Sequence, residues 1–147
     1  LNNELTDFNF APTENGQPVA NRVEAGKRPR SSMAPTIVFD AFGRLYAVTG
    51  SPGGSQIIGY VAKTLVGLLD WDLDPQRAVD LPNFGSRNGP TELERGTAAA
   101  DLAPKLPALG HDTVLTDSNG GAHVIVRTKD GWRGGADPRR DGIVRGK

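Results

Sequence analysis

The segment Gly50-Ser51-Pro52-Gly53-Gly54-Ser55 constrains this chain more than any other. It separates the apolar run Leu45-Tyr46-Ala47-Val48 from a stretch in which Ile57, Ile58, Val61, Leu65, Leu68 and Leu69 recur along one side of a helix. A strand that passes into a helix through a glycine pair sets the helix N-terminus at the strand's end. The first amides of a helix have no intrahelical acceptor and carry a partial positive charge, and glycines let them face a ligand with no Cβ in the way. Anions or oxyanions suit such a place. A plain chain turn is the competing reading, and the motif alone leaves the two level.

The rest of the chain supplies partners for this unit. Thr36-Ile37-Val38-Phe39 and Leu45-Tyr46-Ala47-Val48 flank Asp40-Ala41-Phe42-Gly43 and predict a β-hairpin, with runs apolar enough to be buried on both faces. Asp74-Pro75 reads as an N-cap followed by proline at the first helical position, which predicts a short helix over Pro75 to Val79 that Pro82 cannot continue. Glu92-Leu93-Glu94 suits a short strand, and Thr97 to Leu109 a helix stopped by Gly110, with Pro104 and Pro107 awkward in its interior. Thr113 to Thr116, Ala122 to Thr128 and Trp132 to Gly135 close the chain as strands, the last two joined by Lys129-Asp130-Gly131. From Asp7 to Arg30 no period holds, which predicts a long loop, and a second loop runs from Leu81 to Thr91. A mixed sheet covered by helices buries such elements, so the expected class is α+β or a layered α/β sandwich.

Length and charge narrow the functions. A chain of 147 residues suits one domain. Lys plus Arg and Asp plus Glu each number 17, so no net field draws the chain to nucleic acid or acidic lipid, and neither partner is expected. The absence of cysteine removes disulfides, thiolate nucleophiles and Cys-ligated zinc. His111 and His123 share no metal-ligand spacing, so each is expected to be structural or at the surface, and no metal or cofactor is expected. The longest apolar stretch, Ile57 to Leu69, is interrupted by Gly59, Tyr60, Lys63, Thr64 and Gly67 and falls short of the roughly 20 residues a membrane span needs. Leu1-Asn2-Asn3-Glu4 has neither Met nor the regions of a signal peptide, so the start is expected to be internal.

Three further groups can carry chemistry. Ser31 and Ser32 lie between the basic cluster Lys27-Arg28-Pro29-Arg30 and the strand begun by Pro35-Thr36. A hydroxyl pair can hold a carboxylate, but spacing alone favours a solvated loop in which serines cap nearby backbone groups. Glu4 and Asp7 can together hold an ammonium group or form a solvated acidic edge, the commoner outcome. Asp137, within Gly135-Ala136-Asp137-Pro138-Arg139-Arg140-Asp141-Gly142, is expected to pair with a nearby arginine in a rigid structural turn.

In this order and at these separations, the stretches Leu1-Asn2-Asn3-Glu4 with Asp7-Phe8, Lys27-Arg28-Pro29 through Ser31-Ser32-Met33 and Pro35-Thr36, Gly50 to Ser55, and Gly135 to Arg139 resemble the γ-glutamyltranspeptidase family. The resemblance runs nearly from end to end. It implies a partial αββα N-terminal-nucleophile hydrolase fold, with residues 1–147 as the C-terminal portion of the small-subunit domain. It implies γ-glutamyl transfer and glutathione hydrolysis, in which an N-terminal threonine attacks a γ-glutamyl amide with its own amine as base. Water, an amino acid or a peptide then resolves the acyl-enzyme. Gly53 and Gly54 match the family's oxyanion-hole glycines, Ser31 and Ser32 the serines that hold the substrate α-carboxylate, and Glu4 and Asp7 the acidic pair that holds its α-ammonium. Arg28 matches a basic position to which no catalytic part is assigned.

The family's nucleophile is expected upstream of Leu1, in a precursor that also supplies the large subunit, and the chain by itself is expected to be catalytically incompetent. A periplasmic or secreted location follows from the resemblance alone. A related β-lactam side-chain acylase is one alternative, disfavoured because a glutaryl group has no amine for Glu4 and Asp7 to hold. The other is a non-catalytic module that binds amino acids or a protein partner.

Overall fold

The computed structural model describes residues 3–146; Leu1 and Asn2, which open the first family-like motif, and Lys147 lie outside the described residues. The chain forms two compact units, one reaching to Ser32 and one beginning at Met33, where length alone suggests a single body.

The first unit opens with a 3-10 helix, Glu4–Asp7. Where the sequence reads only as a loop, strands β1 (Thr13–Glu14) and β2 (Gln17–Pro18) form a small antiparallel hairpin. Asn15 and Gly16 turn it with φ of 48° and 75°, the two positive values that a type I′ turn requires. Asn21 ties the unit together. Its Nδ2 donates to the Asp7 carbonyl at 2.6 Å and to Asn9 Oδ1 at 3.0 Å, and its Oδ1 accepts from the Arg30 amide at 2.8 Å.

The second unit contains β3 (Thr36–Phe39), β4 (Leu45–Gly50), α1 (Ile57–Leu69), α2 (Pro75–Asp80), β5 (Phe84–Gly85), β6 (Thr91–Glu94), β7 (Thr113–Thr116), β8 (His123–Thr128) and β9 (Gly131–Ala136). An antiparallel sheet has the order β3-β4-β8-β9, and a smaller one the order β5-β6-β7 with β6 and β7 parallel. This is the α+β class expected. The hairpin β3–β4 is fixed by Asp40, whose Oδ1 accepts from the amides of Phe42 and Arg44, each at 2.9 Å. Its Oδ2 reaches Arg44 at 2.8 Å and Arg127 of β8 at 2.9 Å.

Ala47, Val124 and Val126 of the large sheet pack with Leu68 of α1 and Ala78 and Val79 of α2 to form the core. On β3, β4 and β8 one face lies open, which corrects the expectation of strands buried on both, while at β9 Val144 lies against that same face at Gly134. Ile37, Val48 and Ile125 are neighbours across β3, β4 and β8 and are 59%, 40% and 52% exposed. The period of two was hidden because both faces of these strands carry apolar residues. On α1 the buried stripe is Tyr60, Val61, Thr64, Gly67 and Leu68, whereas the expected Ile58 and Leu69 face outward. Asp74 caps α2 as predicted, accepting from the amides of Gln76 and Arg77 at 3.1 and 3.2 Å. A Cβ on Gly135 would lie 2.4 Å from the Pro75 carbonyl oxygen, so β9 reaches the start of α2 only with glycine there.

The helix expected over Thr97 to Leu109 does not form. Two 3-10 turns, Ala100–Leu102 and Leu106–Leu109, stand in its place, and Gly110 ends the second at φ 84°. Pro104 and Pro107 lack the amide hydrogens that α-helical pairing needs, and their rings crowd the preceding turn. Among the described residues no helix is long and apolar enough to cross a membrane.

Candidate functional site

The chain leaves β4 at Gly50 and enters a 3-10 turn, Gly54–Gln56, that runs directly into α1. Gly53 stands at φ 141° and Gly54 at φ 57°, both in the region that side-chain-bearing residues avoid. Gly53 is doubly restricted, since a Cβ there would meet Tyr60 Cε2 at 2.5 Å, while nothing lies within 4 Å of one on Gly54. The Gln56 amide donates to the Gly53 carbonyl at 3.2 Å, but neither the Gly53 nor the Gly54 amide donates to another group among the described residues. Two adjacent donors at a helix start are thus left for an acceptor from elsewhere.

Beyond this turn lies a cavity of about 390 Å³, whose lining includes Ser55, Gln56, Tyr60, Arg87, Glu92 and Ser118. Arg87 donates to Ser55 Oγ at 2.7 Å and to Glu92 Oε1 at 2.6 Å, and Gln56 donates to Glu92 Oε2 at 2.6 Å. The Tyr60 hydroxyl meets Gln56 Oε1, sits 3.2 Å from Asn119 Oδ1, and accepts from Ser118 at 3.3 Å. Ser118 Oγ in turn accepts from Asn83 Nδ2 at 2.7 Å. A polar chain therefore leads from the first turn of α1 into the interior.

That chain ends in an ion cluster. Arg139 reaches Asp137 Oδ1 at 2.9 Å and both Glu94 oxygens, Nη2 to Oε2 at 2.8 Å, and donates to the carbonyls of Val79 and Leu81 at 3.3 and 3.1 Å. Burial by itself pushes the guanidinium pKa down, but the hydrogen bonds from Glu94 and Asp137 outweigh it and the net shift is upward. The Asp137–Arg139 pair expected from sequence is present. Glu94, from β6, had no sequence signal as its partner.

Lys63 of α1 donates to the same two carbonyls, at 3.0 Å to Val79 and 2.7 Å to Leu81. Burial, then the charge of Arg139, lowers its pKa from 10.5 to about 8, against the pull of Asp137, Glu94 and Asp80. Between those values the unfolded chain binds a proton that the folded chain does not, so the Lys63 contribution favours folding more as pH rises from about 8 toward 10.5. The difference in urea midpoint between the native protein and Lys63→Met, measured at pH 7.5 and pH 9.5, is expected to shift in favour of the native protein at the higher pH. An unchanged difference removes the linkage.

The other sequence candidates lie in the first unit. Glu4 and Asp7 sit at the two ends of the 3-10 helix, both half-buried. Ser31 Oγ donates to Glu4 Oε1 at 2.7 Å, which brings one serine and one acid together across the intervening hairpin. Ser32 is half-buried and Arg28 exposed. A hydroxyl and a carboxylate in contact can turn to the two poles of an amino acid head group, the hydroxyl donating to its carboxylate and the acid accepting from its ammonium. Sequence reasoning missed Tyr60, whose place on the buried stripe of α1 carried the only signal, and Arg87 with Glu92, which carried none.

The family model described as Gamma-glutamyltranspeptidase matches residues 1–146. The glutathione hydrolase proenzyme of Escherichia coli is 38% identical over 150 residues, covering 95% of this chain and 25% of that protein. The T380A mutant of Helicobacter pylori γ-glutamyltranspeptidase superposes with a TM-score of 0.78 at 33% identity, covering 95% of this chain and 81% of that one. A cephalosporin acylase from Bacillus halodurans superposes with a TM-score of 0.74 at 26% identity, covering 85% of this chain and 24% of the acylase. The chain thus spans about a quarter of the length of the glutathione hydrolase proenzymes of Escherichia coli and Bacillus subtilis.

Proposed function

Because this chain belongs to the γ-glutamyltranspeptidase family, we propose that it forms the oxyanion-stabilising and substrate-holding part of an enzyme that hydrolyses glutathione and transfers γ-glutamyl groups. Residues 1–147 would be the C-terminal portion of the small subunit, with the nucleophilic threonine and the large subunit supplied from outside them. The observation that carries the reading is the pair of amides at Gly53 and Gly54, unclaimed by other described groups at the N-terminal end of α1. When a hydroxyl adds to the γ-glutamyl carbonyl, negative charge gathers on the carbonyl oxygen. Two fixed N–H donors stabilise that oxygen more than they stabilise the neutral amide, which lowers the barrier to the step. Collapse of the adduct breaks the C–N bond, the amine leaves with the proton taken from the hydroxyl, and an ester to the enzyme remains. Water or an acceptor amine then attacks that ester through a second oxyanion, whose collapse breaks the ester C–O bond and frees the enzyme hydroxyl, which regains a proton from the attacking group.

Glu4 and Asp7 would hold the donor's α-ammonium, and Ser31 and Ser32 its α-carboxylate. The Ser31–Glu4 contact supports this fork, and a donor with a free amino acid head is the one that pairs with both its hydroxyl and its carboxylate. The same fork separates this reading from a β-lactam side-chain acylase, a specificity that the shared scaffold by itself permits. A stand-alone binding module is disfavoured by the exposed apolar face of the large sheet, where Ile37, Val48 and Ile125 would remain in water. A periplasmic or secreted location belongs to the same proposal and is read by fractionation.

The decisive experiment compares release of p-nitroaniline from γ-glutamyl-p-nitroanilide by residues 1–147 and by the full-length precursor. Turnover by the precursor alone is expected. Turnover by residues 1–147 alone would overturn the assignment of the nucleophile to another segment, and turnover of glutaryl- but not γ-glutamyl-p-nitroanilide by the precursor would favour the acylase.

A further inference from the structure

A glycine pair is intrinsically free over much of backbone space, so two unclaimed amides at Gly53 and Gly54 become a prepared site only if something outside the turn holds them. The geometry points to Tyr60 as that positioning residue, and we infer that its ring, standing where a Gly53 side chain would project, blocks rotation of the Gly53 peptide. This inference rests on the oxyanion reading above.

Three observations carry it. The Tyr60 ring is the nearest group to a Cβ on Gly53, at 2.5 Å and 2.9 Å for two of its carbons, so little free volume separates ring and backbone on that side. Tyr60 is 4% exposed and lies on the first turn of α1, a rigid element, rather than on a loop. Its hydroxyl is held by Gln56, Asn119 and Ser118, which limits the ring's freedom to swing away. The loop that carries Ser118 and Asn119 also braces the turn from its other end. A Cβ on Gly121 would lie 2.8 Å from Pro52 Cγ, and the Gly121 amide approaches Ser51 Oγ at 3.4 Å. One loop therefore fixes both Pro52 and the residue that backs Gly53. Packing of this kind gives the donors their direction before charge develops, which is where preorganised sites gain over water.

A positioning role predicts a loss in kcat without a loss in substrate binding, because Glu4, Asp7, Ser31 and Ser32 are untouched. In the full-length processed protein, Tyr60→Ala is expected to lower kcat for γ-glutamyl-p-nitroanilide by roughly 10- to 100-fold, with KM changed less than about twofold. Tyr60→Phe keeps the ring and is expected to retain more than about a third of kcat. If Tyr60→Ala does not accumulate as folded protein, Tyr60→Leu fills part of the volume and is expected to show the same loss. An unchanged kcat, a rise in KM alone, or a Tyr60→Phe as slow as Tyr60→Ala would overturn the inference. Should the native protein release no p-nitroaniline, the oxyanion reading fails. The Tyr60 contact is then judged by a crystal structure of Tyr60→Ala, where a Gly53 φ departing from 141° supports it and an unchanged φ overturns it.

Discussion

Replacing Gly53 with alanine is expected to lower kcat for γ-glutamyl-p-nitroanilide by about 10²- to 10³-fold in the full-length protein, the loss typical of one misplaced oxyanion donor. The added methyl cannot be absorbed where it stands. Its carbon would sit 2.5 Å from Tyr60 Cε2, and the φ of 141° is one that alanine does not hold. Tyr60 is buried and hydrogen-bonded at its tip, so the softer response is rotation of the Gly53 peptide. That rotation swings the donor away from the place proposed for the developing oxyanion. KM is expected to change little, because the groups proposed to hold the amino acid head lie in residues 4–32. Gly54→Ala is the informative contrast. Its φ of 57° is a left-handed value costing alanine about 1–2 kcal/mol, with nothing within 4 Å of the new carbon, so a loss nearer tenfold is expected. Steady-state kinetics on both variants reads the difference. Equal kcat in Gly53→Ala and native protein would remove these amides from the chemistry.

Arg139→Ala is expected to destabilise the second unit by about 3–5 kcal/mol, a large part of the 5–15 kcal/mol that holds a typical domain. Arg139 is the cation that balances two carboxylates, Asp137 with a fully buried side chain and Glu94 with a side chain 9% exposed. Asp137 Oδ2 is already buried without a hydrogen-bond partner, so this site has little slack for a further loss. Truncation also strips donors from the Val79 and Leu81 carbonyls at the end of α2, leaving Lys63 to serve both. Most of the deficit comes from charges left unpaired. The double variant Glu94→Leu/Arg139→Met is therefore expected to recover only the Glu94 share of it, because Asp137 stays buried without its cation, and Arg139→Lys, which keeps the charge but lacks the planar fork, to recover part of it as well. Urea denaturation followed by tryptophan fluorescence measures all three. A loss in Arg139→Ala below about 1 kcal/mol would mean that water relaxes into the cluster and screens it.

How far the molecule was legible from its residues differs by element. Asp74-Pro75 announced α2, Gly110 marked the end of the turns before β7, and the apolar runs around Asp40 to Gly43 marked β3 and β4. Each of these signals acts within a few residues. Asn15-Gly16 was an equally local signal for the β1–β2 hairpin, obscured because its flanking strands are short and polar rather than alternating. The failed helix over Thr97 to Leu109 shows the reverse case, where a stretch closed by Gly110 invited a helix and two prolines broke it into 3-10 turns. For the candidate site, the glycine turn was legible because its physics is contained in six consecutive residues. The likeness of Ser31, Ser32, Glu4 and Asp7 to a substrate clamp came from family resemblance, since their spacing alone favoured solvated loops.

By itself the sequence determined the family, the α+β class, most of the strands and both α-helices, and the place where backbone amides would be left at a helix start. The family was legible as a resemblance of motifs along the chain; the other properties follow from turn glycines, missing amide hydrogens, capping side chains and apolar runs, all of which act between near neighbours. Tertiary structure alone decided which face of the large sheet is covered, that Ser31 meets Glu4 across 27 residues, that Glu94 meets Arg139 across 45, and that Tyr60 stands against Gly53. Such meetings depend on strand register and on how helices settle over a sheet, which are fixed by many weak contacts at once and by no short motif.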